Sequence, residues 1–189
     1  MVDSASLPNV LLVAGSLRKQ SLNRQLAEQA AAVIGDRAHT ELLEWADVPV
    51  FNQDIEFPAP QPVTRVRKAV KEADALWIVT PEYNHGVPGP LKNLVDWLSR
   101  PTEDGGEGVI VGKTVTFSSV AGSSCGRYSL GAWLSTVDFL KLEVVPANFT
   151  GTSFDRAQFT SSVLKLSDAA RAAVEGQADA LLKALEAKN

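Results

Sequence analysis

Three stretches of this chain gather the side chains that chemistry could use. The first is residues 15–24, GSLRKQSLNR, which brings Ser16, Arg18, Ser21 and Asn23 between an apolar run and a helical pattern. A helix N-terminus offers unpaired backbone N–H groups and a partial positive charge, so it suits a phosphate. Arg18 can add a charge-assisted contact. The plainer reading is that Ser21 or Asn23 caps the helix and Arg18 is solvated. The stretch lacks a Walker lysine and a G-x-G-x-x-G, which speaks against a nucleoside triphosphate or a dinucleotide here.

The second stretch, residues 80–100, reads TPEYNHGVPGPLKNLVDWLSR. Pro81 and the ring of Tyr83 suit a flat heterocycle, and backbone N–H groups of Asn84 or Gly86 could bond its nitrogens and oxygens. Glu82 is one carboxylate: a possible acid, or equally a structural hydrogen-bond partner. His85, beside Gly86, reads as a loop residue. The third stretch, residues 118–126, is SSVAGSSCG. Ser118, Ala121 and Gly122 are small enough to let a ligand reach the backbone closely. Cys125 has no properly spaced base, so it does not read as a nucleophile. No nucleophile–base–orienter set is visible, and no catalytic residue is assigned.

These stretches are positioned by alternating elements. Apolar runs at 10–14, 40–44, 75–79, 114–118 and 143–145 read as strands. Helical stripes follow at 22–34, 63–73, 91–98, 128–139 and 168–187, while 45–62 and 149–161 read as irregular. Strand–helix alternation implies a parallel sheet covered on both faces. The expected architecture is α/β, a flavodoxin-like three-layer sandwich with a five-stranded parallel sheet of order 2-1-3-4-5 in one domain, 1–189. In that order strands one, three and four are neighbours, and their carboxyl-end loops are the three stretches above. Ligands of open parallel sheets sit at such a place.

Composition narrows the classes. The chain has 189 residues, a net charge of −4, one cysteine and two histidines. A nucleic-acid footprint, an internal disulfide and a metal site are not expected. Nor is a membrane span or a secretory leader, which leads to the expectation of a cytoplasmic protein.

The first two motifs together, GSLRKQSLNR at 15–24 and PEYNHGVPGPLKN at 81–93, resemble the NADPH-dependent FMN reductase family. The segment FNQD at 51–54 is also similar to part of it, and the resemblance runs over residues 8–145. It implies non-covalent FMN, with the phosphate at Ser16, Arg18, Ser21 and Asn23. It implies a flavin ring flanked by Pro81, Glu82, Tyr83 and Asn84, and a site closed by residues 118–122. NADPH or NADH would supply hydride to a quinone, free flavin, azo compound or chromate. It further implies homodimers or homotetramers, with helix 91–98 at the interface. The chain departs from the family pattern in a longer acidic connection at 102–108, TEDGGEG, and in a loosely matching third stretch. The rival readings are a non-catalytic FMN electron carrier, a regulatory flavoprotein and a flavin-free hydrolase.

Overall fold

The computed structural model describes residues 7–146 and 149–188, so the expectations for residues 1–6, 147–148 and 189 lie outside the described residues. Five strands lie parallel in the order β2-β1-β3-β4-β5: β1 Asn9–Ala14, β2 His39–Leu42, β3 Ala75–Val79, β4 Thr114–Ala121 and β5 Glu143–Val144. β3 and β4 are buried at every residue, as central strands covered on both faces must be.

Alternation along the strands divides the core. Val10, Leu12 and Trp77 face α1 (Leu22–Ile34) and α7 (Asp168–Glu186). Leu11, Val13, Leu76 and Ile78 face α2 (Gln61–Glu72) and α3 (Gly89–Ser99), with α4 (Arg127–Ala132) and α5 (Leu134–Phe139) completing that layer. Each fully buried Leu, Ile or Val contributes about 1.5–3 kcal/mol. A polar network crosses the α7 side. Trp77 Nε1 donates to Ser118 Oγ and Ser118 Oγ donates to Gln177 Oε1, both at 2.9 Å. Gln177 Nε2 donates to Thr116 Oγ1 and to the Phe117 carbonyl. The network ties α7 to the two central strands.

Two expectations change. The helix foreseen over 128–139 is broken at Trp133, whose N–H donates to the Leu130 carbonyl three residues back. The break lets the Trp133 ring enter the core at 1% exposure, with Nε1 donating to Thr80 Oγ1. The irregular stretch 149–161 contains a sixth strand, β6 (Thr150–Ser153), and a short helix, α6 (Arg156–Ser161). β5 pairs with Thr114 and Val115, and β6 pairs with Ser118–Ala121, so together they form a fifth strand in two pieces.

The long connection before α2 is docked rather than loose. Asn93 accepts from the Phe51 N–H and donates to the Pro49 carbonyl, which also accepts from Trp97 Nε1. The acidic connection closes a turn at Thr102–Gly106, and Glu103 accepts from the Ala59 N–H. Among the described residues no helix is long and apolar enough to cross a membrane.

Candidate functional site

Register sets the height of the three loops. Ala14 pairs with Val79 and Val79 with Ser118, so β1 and β3 end level with one another. β4 continues past that level to Ala121. The loops that leave these ends are tied to one another by three sets of bonds.

The first and second loops meet at Gly15, whose N–H donates to the Val79 carbonyl at 2.8 Å. A Cβ there would stand 2.6 Å from Leu91 Cδ2 and 2.9 Å from Pro81 Cδ, so glycine is required by the close approach. Tyr83 adds a link, its hydroxyl donating to Ser16 Oγ at 3.2 Å. The first and third loops are joined by buried Asn23, whose Oδ1 accepts from the Val120 N–H and whose Nδ2 donates to the Val120 carbonyl. The second and third loops are joined by Glu82. Its Oε1 accepts from Ser124 Oγ at 2.7 Å, and its Oε2 from the N–H groups of Tyr128 and Ser129. Burial alone would raise the Glu82 pKa, but the bonds from Ser124, Ser129 and Tyr128, with His85 nearby, outweigh it and hold the carboxyl below its ordinary range.

The tied loops enclose a cavity of about 340 Å³. The first loop contributes Ser16, Arg18, Ser21, Leu22 and Asn23 to its lining; the second contributes Pro81, Glu82 and Tyr83. Val120, Ala121 and Gly122 line it from the third, and Phe154 and Phe159 from the segment after β6. Ser21 is the N-cap of α1, its Oγ accepting from the Arg24 N–H, and the first turn of α1 carries no acidic residue. The helix dipole therefore meets the cavity with no carboxylate in its own first turn to offset it. Arg18 is exposed; its Nη2 donates to Ser162 Oγ, and its guanidinium lies 5.5 Å from the centre of the Phe159 ring.

Three expected residues lie outside the lining. Ser118 is fully buried, its hydroxyl engaged by Trp77 and Gln177, because β4 outruns its neighbours and presents Val120–Gly122 instead. Asn84 and Gly86 belong to a tight turn in which the Gly86 N–H donates to the Tyr83 carbonyl, so that N–H is already used. Asn84 and His85 form the tip, with φ of 51° and 58°, and the His85 ring stacks on Tyr128 at 4.1 Å. Conversely, Leu22, Phe154 and Phe159 line the cavity without having been foreseen, while Val120 lines it from within the expected stretch 118–122. Phenylalanines at 149, 154 and 159 follow neither a strand nor a helix period, so no local pattern could have marked them.

A larger groove of about 620 Å³ runs by the amino ends of β1 and β2, between Asn9, His39 and the α2 residues Arg65–Glu72. The smaller cavity is the better candidate, because it lies at the carboxyl ends where the strand order reverses. Among the described residues no group of three His, Cys, Asp or Glu side chains could hold a metal ion.

The donor set fits a flavin mononucleotide. Ser16, Arg18, Ser21 and the α1 N-terminus suit a phosphate, while Pro81, Tyr83, Ala121 and Gly122 bring rings and small side chains that suit a flat heterocycle. The family model of NADPH-dependent FMN reductases matches residues 8–155. An NAD(P)H-dependent FMN reductase of Pseudomonas aeruginosa is 32% identical over 177 residues, covering 91% of this chain and 92% of that protein. A quinone reductase of Pseudomonas putida is 39% identical over 122 residues, and the match spans 64% of this chain and 63% of that protein, under two thirds of its length. In structure, the chain resembles FerB of Paracoccus denitrificans, a flavoenzyme NAD(P)H:(acceptor) oxidoreductase. The TM-score is 0.82 at 24% identity, covering 95% of this chain and 98% of that one.

Proposed function

Because this chain belongs to the NADPH-dependent FMN reductase family, we propose that it is an FMN-dependent NAD(P)H oxidoreductase acting on small quinone-type acceptors. The observation that carries the reading is the cavity framed by three mutually tied loops, lined by groups that suit a phosphate and by rings and small side chains that suit a flavin, with no proton-transfer pair in its lining.

Ser16, Arg18, Ser21 and the first N–H groups of α1 hold the phosphate. Pro81, Tyr83, Ala121 and Gly122 flank the ring system, the last two by close backbone approach. Asn23 and Glu82 act on the frame: their polar atoms are spent on Val120, Ser124, Tyr128 and Ser129. Bound FMN would supply the redox chemistry, taking a hydride from the reduced nicotinamide and passing two electrons on to the acceptor. The chain's own task is to orient the flavin and leave one ring face open to both partners in turn. No side chain is assigned a proton in this scheme.

The same reading includes a homo-oligomer with α3 at the interface. Next to α3, Val50 is 82% exposed and Phe139 81%, and Lys92, Val95, Asp96 and Phe139 line a groove between α3 and α5. A cytoplasmic setting belongs to it too, since reduced nicotinamide coenzyme is drawn from the cell interior.

The test is NADPH and NADH oxidation with 1,4-benzoquinone, with and without added FMN. FMN-dependent turnover with a double-reciprocal pattern of parallel lines supports the proposal. Tight FMN binding without turnover by either coenzyme would turn it towards an electron carrier.

A further inference from the structure

α6 begins immediately after the segment matched by the family, yet it supplies a wall of the cavity. It is held there firmly. Asp155 caps it by accepting from the Gln158 N–H, and Gln158 Oε1 accepts from the Lys165 N–H. Gln25 of α1 clasps its far end, Nε2 donating to the Ser162 carbonyl and Oε1 accepting from the Leu164 N–H, both at 2.8 Å. Leu164 is buried in the α1–α7 core, and Phe154, which stacks on Phe159 at 5.5 Å between ring centres, packs against the same core.

Arg18 meets this anchored segment twice. Its guanidinium lies over the Phe159 ring and its Nη2 donates to Ser162 Oγ. A guanidinium has five N–H donors, and one is used in this way, leaving the others for an anion. A long exposed side chain otherwise samples many rotamers and loses that freedom on binding. We propose that Phe159 and Ser162 are positioning residues that hold Arg18 ready for the phosphate of the flavin, so that α6 sets the preference of the site for a phosphorylated ligand. The inference rests on the FMN reading above.

The test compares FMN with riboflavin, which carries the same ring and ribityl chain without the phosphate. Dissociation constants of both are measured by quenching of flavin fluorescence for the full chain and for Phe159→Leu, Ser162→Gly, Arg18→Ala and the Arg18→Ala/Phe159→Leu double variant. Leucine keeps an apolar side chain at a half-exposed site. Glycine suits the φ of 55° at Ser162 and removes only the hydroxymethyl group.

Phe159→Leu and Ser162→Gly should each weaken FMN by about 3-fold while riboflavin changes less than about 2-fold. Arg18→Ala should abolish most of the preference for FMN, and adding Phe159→Leu to it should cost nothing more. Equal weakening of both flavins would make Phe159 a wall of the ring pocket and overturn the proposal, as would unchanged binding of both. Additive losses in the double variant would also overturn it. A wild-type chain that binds neither flavin would overturn the FMN reading itself, before any variant is compared.

Discussion

The Asn23 carboxamide bonds both polar groups of the Val120 backbone, accepting from its N–H and donating to its carbonyl at 2.9 Å each, across 97 residues of sequence. The start of α1 and the end of β4 are thereby fixed to each other under the cavity. Asn23→Leu would leave two buried backbone groups without partners, at about 1–3 kcal/mol each. The expected result is a fall of about 2 kcal/mol or more in urea-unfolding stability, together with weaker FMN binding. A stable variant with unchanged FMN affinity would remove Asn23 from the frame.

Gly15 is the corresponding point between the first and second loops. Gly15→Ala would force Leu91 and Pro81 apart, an overpacking that costs about 1–3 kcal/mol. Both stability and flavin affinity should drop, because the same shift moves Ser16 and Tyr83. Thermal unfolding with and without FMN separates the two effects.

Gln177 offers the opposite case, a polar network far from the ligand. Gln177→Leu removes bonds to Thr116, Phe117 and Ser118 and should destabilise by about 1–3 kcal/mol. FMN affinity measured well below the melting range should stay within about 2-fold of wild type. A larger loss would mean that α7 reaches the site through β4.

Glu82 predicts a pH dependence. Its folded pKa lies below the ordinary value, so the ionised form is the one the fold favours. The stabilisation is therefore complete above the unfolded carboxyl pKa, about 4.3, and is lost as the pH falls through the folded pKa. In respect of this group FMN affinity should stay level from neutral pH to below the ordinary carboxyl value of about 4.3, then decline as the pH falls through the folded pKa. Glu82→Gln puts an amide N–H₂ where an acceptor is needed, and should weaken FMN several-fold at pH 7 while flattening the acid decline. An unchanged acid limb in the variant would assign that limb to another carboxylate.

Much of this architecture is legible in local sequence. The alternation of apolar runs with helical stripes determines the parallel sheet, and the sheet order brings loops 15–23, 81–89 and 118–126 together. What local sequence does not carry is the partner of each polar group. Asn23 and Glu82 are visible as polar loop residues, but their roles as ties depend on Val120 and Tyr128, which only the folded chain brings near. Ser118 reads as the last residue of a strand and the first of a ligand-facing loop, but β4 runs on to Ala121, and Trp77 and Gln177 engage its hydroxyl inside the sheet. β6 escapes notice because its TGTS sequence has neither alternation nor bulk, and takes its order from the edge of β4. Phe159 has no periodic neighbours; its place is set by the Gln25 clasp on α6.

The most direct measurement of the central claim is an absorbance spectrum of the purified chain after FMN addition and desalting, followed by anaerobic titration with NADPH and then NADH. The account predicts flavin bands that remain with the protein and bleach with one equivalent of coenzyme. Bands that stay with the protein and bleach with neither coenzyme would contradict an oxidoreductase. The absence of flavin binding in a parallel equilibrium titration would contradict the cofactor assignment.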